Sequence, residues 1–446
     1  MDALLLGYQQ AFPAAPFAVG FLLDADGTVP CVQDLRALVA DRARDHPPLT
    51  HRLASGRWGR PYWVVDADFS VDRHVHERRL PAGSGLAGLR RAVERLSAAE
   101  IPLNAPPWQL WLLHGHRPGG ITLLLRASHV WMDGTALNLL LGRMFGLPGR
   151  QPEPMPARRV VPERRPGPRA VGRAAAHTLG WCTRTTTIGS LTATPTGRPR
   201  HTWLDVDLGW LRAISRAYEV TVNDIFLAAL TGALRAWSPA GTPGRGRRGE
   251  HRGQLYAAMP VSTRTAAERE LGGNRLTTVR LALPHGEPSA RRRVEAIRRQ
   301  TDRHKRRGTP GVAERLFLWA TPAPLRPAVM SAEIMSRVFA LTASNPRGLV
   351  GPMAVLGRPV TAAVPLPALP GNQRMAVMLG GLDGRACIGF TMDGSVRDCE
   401  RVPELVDAEL RVLATEAGLG HGPTPTEIGT GTTLSAPRRP LATTGG

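Results

Sequence analysis

The sequence predicts a mixed α/β protein built as two similar-sized halves, and three observations predict it. Short continuous apolar runs alternate with stretches of helical period in both halves. The 446 residues exceed a single domain of roughly 100–200 residues. A segment dense in Pro, Gly and Arg, GLPGRQPEPMPARRVVPERRPGPR at 146–169, reads as an exposed crossover between them. The halves are residues 1–146 and 200–418, joined by a 147–199 crossover and followed by a 419–446 tail. The tail is rich in Gly, Thr and Pro, has little apolar surface to bury and is expected to be disordered.

The elements follow in order. ITLLLRA (121–127) is a strand buried on both faces, and TALNLLLGRMF (135–145) continues at helical period. DLGWLRAISRAYE (207–219) and VNDIFLAALTGALRAW (222–237) are amphipathic helices. The second sets Val222, Phe226, Ala229, Ala233 and Trp237 on one face. SPAGTPGRGRRGEHRG (238–253) is a long flexible loop. RRRVEAIRRQTDRHKRR (291–307) is a strongly basic helix, and MAVMLGGLDGRACIGFTM (375–392) is a hairpin turning at Asp383-Gly384.

Composition narrows the function classes. With 42% hydrophobic and 21% charged residues the chain is globular. Cys31, Cys182, Cys387 and Cys399 form no CxxC pair, so neither a disulfide framework nor a zinc module is expected, and a reducing cytoplasm fits. No apolar run reaches the roughly 18 residues of a spanning helix. The start, MDALLLGYQQAF, lacks the basic n-region of a secretory signal. The net charge of +21, carried almost wholly by arginine with Lys305 the one lysine, attracts anions: coenzyme phosphates, acidic lipid headgroups or nucleic acid. No zinc finger, RNP-like motif or basic zipper is present and aromatics are only 5%, so no nucleic-acid partner is expected. The pairs His74/His76 and His114/His116 have no third ligand at a recognisable spacing, so no metal is expected.

The sharpest local feature is LLLRASHVWMDGTAL, a buried strand that ends at Ser128-His129, turns, and opens a helix at Asp133-Gly134. A polar pair at a strand-to-helix switch is where ligand clefts form. A neutral histidine can take a proton from a hydroxyl and return it to a leaving group near pH 7. Asp133, four residues on, can hold either the ring or the local backbone, and Gly134 suits the backbone of a tight turn. The competing reading makes His129 a satisfied half-buried histidine and Asp133 a helix N-cap.

The chain resembles the bacterial wax ester synthase/diacylglycerol acyltransferase family, within the wider CoA-dependent acyltransferases and condensation domains. Seven segments carry the resemblance in order: GRPYWVVDADFSVDRHVHERRLP (59–81), PLNAPPWQLWLLHGH (102–116), SHVWMDG (128–134) in place of HHxxxDG, TVNDIFLAAL (221–230), MPVSTR with GGNR (259–264 and 272–275), TASNPRGLVGPMAVLGRPV (342–360), and the hairpin at 375–392. The resemblance implies two chloramphenicol-acetyltransferase-like subdomains forming a pseudo-symmetric pair with a tunnel between them. It implies acyl transfer from a thioester, as acyl-CoA or an acyl carrier protein conjugate, to an alcohol. His129 matches the family's catalytic base and Asp133 the aspartate that holds the loop and ring.

Departures from the pattern mark a divergent member. Ser128 replaces the first motif histidine, Trp131 is bulky and either narrows a channel or fills core, and PPW stands for PLW. Asn223 and Asp224 either support catalysis or start a helix with a capping box. Ser344 and Asn345 either donate to the oxyanion of the tetrahedral intermediate or form an ordinary turn before Pro346. The basic 291–307 helix is a solvated face, a grip for coenzyme A phosphates, or a contact with an anionic membrane.

The leading function is therefore an acyl-CoA-dependent O-acyltransferase making wax esters or triacylglycerol, in the cytoplasm or peripheral at the inner membrane face, with possible lipid-droplet contact. One alternative is a specialised-metabolite or condensation-type enzyme that makes an ester or amide from a CoA- or carrier-protein-bound acyl group. A second is a non-catalytic binding protein of the same fold.

Overall fold

The computed structural model describes residues 2–11, 17–56, 61–147, 188–237, 254–307, 338–346 and 351–420, with residues 172, 185 and 422. The 238–253 loop lies outside the described residues, as does most of the 147–199 crossover, namely 148–187 apart from residues 172 and 185. So does the tail from 423 on.

The first half begins with α1 (Asp2–Ala11), β1 (Ala18–Asp26), α2 (Val32–Asp45) and the small hairpin β2 (His51–Ser55) and β3 (Pro61–Val65). It continues through β4 (Val75–Arg79), α3 (Gly85–Ser97), β5 (Trp108–His114), β6 (Gly120–Ser128) and α4 (Gly134–Phe145). The second half holds β7 (Pro199–Asp207), α5 (Leu208–Ala217), α6 (Val222–Trp237), β8 (Leu255–Ser262), β9 (Leu276–Leu283) and α7 (Ala290–Arg307). Next come β10 (Leu341–Ser344), β11 (Ala354–Val355), β12 (Arg358–Leu366), β13 (Met375–Leu382), β14 (Arg385–Asp393) and α8 (Arg401–Glu416). These form two six-stranded sheets, ordered β11-β12-β1-β6-β5-β4 and β7-β14-β13-β10-β8-β9. The mixed α/β class and two-sheet organisation expected from sequence are what the chain adopts.

Every residue of β6 is buried, Thr122, Arg126 and Ser128 included, as expected of a central strand with covered faces. It pairs antiparallel with β1 from Ala18↔Ser128 to Asp26↔Gly120. On β1's other side lies β12, paired from Gly20↔Leu366. A strand from the second half of the chain thus completes the first sheet, and the division by sequence is not the division by sheet. The sheets meet where β12 passes β14: a Cβ on Gly389 would fall 1.8 Å from the Pro365 carbonyl oxygen, so only glycine fits.

Helix α6 departs from its expected amphipathic form. Its residues from Asp224 to Leu234 are all buried, so it is the core of the second half rather than a surface helix. Ile225, Phe226, Leu230 and Leu234 pack with Val294 and Ile297 of α7 and with Val406 and Leu410 of α8 in one cluster. Packing continues past α8. Leu419 lies against this cluster, and the Gly420 carbonyl accepts from Trp210 Nε1 at 3.2 Å. The expected tail therefore remains docked through its first residues.

Candidate active site

Strand β6 ends at Ser128, in the interior of the first sheet, and delivers His129 just beyond its last residue; α4 begins five residues after His129. The turn is closed by backbone bonds, His129 N to Phe17 O at 2.9 Å and Trp131 N to Ser128 O at 3.0 Å. Phe17 also stacks on the imidazole, with ring centres 5.1 Å apart and planes 10° from parallel. Nδ1 of His129 is buried with no hydrogen-bond partner, while the residue as a whole keeps partial solvent access. Nε2 is therefore the nitrogen open to a substrate. Burial pushes the imidazole below its ordinary 6.5, against opposing pulls from its own backbone carbonyl, the Asp133 charge and the Asn274 side chain. His129 is thus a neutral base at pH 7.

Asp133 is fully committed elsewhere. Its Oδ1 accepts from Ala136 N at 2.9 Å and caps α4. Its Oδ2 accepts from Arg264 Nη1 at 2.7 Å and Arg275 N at 2.8 Å. Of the two sequence readings for this aspartate, holding backbone is the one realised; its direct bonds run to α4 and to the loop after β8, not to the ring. Gly134 is not among the positive-φ residues, which corrects the turn argument made for it. A Cβ there would sit 3.3 Å from Pro346 Cγ and 3.7 Å from Met378 Sδ. Glycine lets the Ser344–Pro346 loop approach the start of α4.

The same loop after β8 grips α4 at its other end, where buried Arg143 donates to Glu270 Oε2 at 2.8 Å. Within this loop Asn274 Nδ2 donates to Val130 O at 2.8 Å and to Asp2 Oδ1 at 3.0 Å. Arg264, Asn274 and Arg275 are functional candidates that residue-level reading passed over, although MPVSTR and GGNR were the signal. Spacing alone gave these residues no role, because their partners lie more than a hundred positions away.

The remaining candidates divide. Ser128 Oγ donates to Gln9 Oε1 at 3.2 Å and accepts from Val130 N at 3.3 Å, and the residue is 2% exposed. Trp131 is buried in the first-half core with Met132 and Leu137. Asp224 forms the reciprocal capping bonds with Thr221, 3.0 Å from Thr221 N and 3.3 Å from Asp224 N to the hydroxyl, and accepts from Thr301 Oγ1 at 2.8 Å. Asn223 Nδ2 rests on Met259 Sδ at 3.8 Å. Ser344 ends β10 and is half-buried, and Asn345 is exposed; through Pro346 their loop reaches the motif, but neither side chain is hydrogen-bonded to His129. His74 Nδ1 meets Trp108 O at 3.0 Å and His114 pairs with Glu77 at 2.9 Å. Among the described residues no three His, Cys, Asp or Glu stand close enough to hold a metal ion.

Because the Ser128 hydroxyl is bonded on both sides and buried, its loss is expected to act through the loop. Ser128→Ala should cost about 0.5–1.5 kcal/mol and lower kcat/KM for every acceptor alike. A loss confined to one acceptor, seen across an acceptor panel, would mean that the hydroxyl contacts substrate.

Two six-stranded sheets, with a histidine-bearing turn after a central strand of the first, place the chain in the fold class shared by solved wax ester synthases and condensation domains. The wax ester synthase/diacylglycerol acyltransferase of Marinobacter aquaeolei superposes with a TM-score of 0.64 at 19% identity, over 94% of this chain and 98% of that one. The starter condensation domain of rhizomide synthetase, solved with C8-CoA and Leu-SNAC, gives 0.65 at 13% identity, over 95% and 94%. Residues 17–194 match the wax ester synthase/diacylglycerol acyltransferase catalytic domain, and residues 272–414 match the C-terminal domain of the same family. The chain belongs to that family. A Mycobacterium tuberculosis protein named as a diacylglycerol O-acyltransferase is 27% identical over 250 residues, so there the chain spans about half (51%) of the relative's length and 48% of its own. Another from that organism is 23% identical over 413 residues, covering 85% of this chain and 87% of the relative.

Proposed function

We propose that the protein is an O-acyltransferase that moves an acyl group from acyl-CoA to an alcohol, with His129 as general base. The observation that carries this reading is the neutral, partly accessible imidazole whose buried Nδ1 leaves Nε2 free. Nε2 takes the proton of the acceptor hydroxyl as its oxygen attacks the thioester carbonyl carbon. The tetrahedral oxyanion collapses, the C–S bond breaks, and the imidazolium returns its proton to the thiolate. Ester and free thiol leave, and His129 ends neutral. A thioester is already activated, so alignment and one timed proton transfer are the main demands on the protein. Ser344 and Asn345, on the loop against Gly134, are the proposed donors to the oxyanion.

Acyl-CoA as donor is supported by the rhizomide condensation domain, which shares this fold and was solved in complex with C8-CoA. The exposed Arg291, Arg292, Arg298, Arg299, Arg303 and Arg306 of α7 suit an anionic contact, either coenzyme phosphates or the headgroups of a membrane or lipid-droplet surface. No described helix is long and apolar enough to cross a membrane. The condensation-domain likeness favours one second reading, in which a carrier protein presents the thioester.

Incubation with acyl-CoAs and a panel of fatty alcohols, diacylglycerol, other alcohols and amines, read by mass spectrometry, tests the proposal. Ester with stoichiometric free CoA is expected. Product only from carrier-bound acyl groups, or only with amines, would favour the second reading; no product from any pair would overturn both.

Activity should also persist into mild acid. A base works only when neutral, and burial holds the His129 imidazole below 6.5. The acid limb of kcat/KM should therefore have its midpoint below that value, and a midpoint above it in a pH–rate profile would contradict the buried-base assignment.

A further inference from the structure

Two buried polar atoms beside the reacting centre lack hydrogen-bond partners: His129 Nδ1 and Asn274 Oδ1. Unpaired buried polar atoms are costly, so two of opposite capacity in one place are informative. The Asn274 amide cannot be turned over. Its Nδ2 already donates to Val130 O at 2.8 Å and Asp2 Oδ1 at 3.0 Å; a flipped amide would set oxygen against a carbonyl and a carboxylate. Oδ1 is thus fixed as a buried acceptor. Val130 follows His129 directly, so the 2.8 Å bond to Val130 O sets the Asn274 side chain beside the residue that carries the imidazole, and that side chain acts on the ring's titration.

We propose that Asn274 is a positioning residue for catalysis: its Oδ1 accepts Nδ1–H of His129 and so holds the tautomer whose lone pair is on Nε2. This rests on the general-base role of His129 and adds to it the group that aims the base. A neutral imidazole has one donor and one acceptor nitrogen, and whichever is held as donor determines which is the base. Binding Nδ1–H to an amide oxygen also stabilises the imidazolium formed in the transition state without a charge that would hold the proton too tightly. Asn274 belongs to the second half, whereas His129 belongs to the first. The base is therefore aimed only when the loop after β8 is docked across α4.

Asp133 is the charge that opposes burial at the ring, and groups from three segments surround the two. Asp133 lies on the ring's own loop, with Arg264 and Arg275 reaching that carboxylate from the second half. From the N-terminal segment come Phe17, stacked on the imidazole, Tyr8, in ring contact with Phe17, and Asp2, bonded to Asn274. The competing acceptor for Nδ1–H is the backbone carbonyl of His129 itself.

Full-length wild type, Asn274→Ala and the pair Asn274→Asp with Asp2→Asn are compared in kcat, KM and pH–rate profiles with acyl-CoA and an accepted alcohol. Asn274→Ala should lower kcat about 10- to 100-fold with KM for acyl-CoA within about twofold. Its acid limb should move to lower pH, because an acceptor that stabilises the imidazolium is gone. The paired variant gives up the bond to Val130 O but puts a carboxylate in the acceptor position, and should move the limb above that of wild type. An acid limb unmoved in both variants, or a rate loss that only follows melting temperature, overturns the proposal and leaves the backbone carbonyl as the acceptor. Should Asn274→Ala not fold, ¹⁵N NMR of the wild-type imidazole still decides: Nε2–H as the resting tautomer overturns it. Near-wild-type turnover in His129→Ala would instead remove the general base itself, a separate failure.

Discussion

Replacing His129 by alanine is expected to lower kcat by about 10²–10⁴-fold, the typical contribution of a general base. The fold should survive the change. The ring sits at the end of β6, stacked on Phe17, and the one hydrogen bond its removal would strand is the one proposed to Asn274 Oδ1. What is lost to stability is the stacking contact, about 0.5–1.5 kcal/mol. Part of that is recovered below pH 6.5, since a histidine held neutral by burial must shed protons to fold. Its folded value lies below its unfolded one, so wild type loses stability as pH falls from 6.5 toward the folded value, and the alanine variant lacks this contribution. Initial rates with acyl-CoA and alcohol, beside thermal melts at pH 7 and pH 5, check both halves. Near-wild-type turnover by a folded variant would remove the proposed mechanism.

Much of this site was legible in the sequence because it is local. The apolar residues of β6, the polar pair at its end and the aspartate that starts α4 lie within fifteen consecutive residues. Each position announces its element through period or capping chemistry. The helix at 222–237 was equally legible as a helix but not in its surroundings. Periodicity reports a helix's apolar stripe, and the burial of α6 on almost every side depends on α7 and α8 packing around it. Local pattern likewise cannot say which sheet a strand joins, and β12 crosses to pair with β1.

The groups that hold the motif in place were the least visible. Arg264, Asn274 and Arg275 meet Asp133 and Val130 across separations of 131, 144 and 142 residues. Charge and amide side chains in a loop carry no periodic signal, and in a chain with so much arginine one more basic residue stands out from nothing. The resemblance marked their two blocks without giving them work. In the fold they tie the histidine-bearing turn of one half to the loop of the other, so the two blocks meet at one place.

That tie should be measurable as a large, non-additive stability effect. Arg264 and Asp133 form an ion pair with each side chain only 4% exposed. Breaking a buried pair by removing one partner typically costs about 3–5 kcal/mol, because the other charge is stranded. Asp133→Asn is expected at that level. Its Oδ1 can still cap Ala136 N, but the new amide hydrogens would face Arg264 Nη1 and Arg275 N, donors against donors. Arg264→Met should cost less, since the carboxylate it leaves keeps two backbone donors, Ala136 N and Arg275 N. In the double variant the amide no longer opposes a guanidinium, so the combined loss should fall short of the sum by about 1 kcal/mol or more. Urea unfolding of the four proteins gives the cycle directly. Activity should fall in both single variants, because loosening the loop after β8 also loosens Asn274 and Arg275 beside His129. Strict additivity, or full activity in a destabilised Arg264→Met protein, would show that the two halves hold the histidine-bearing turn by other contacts.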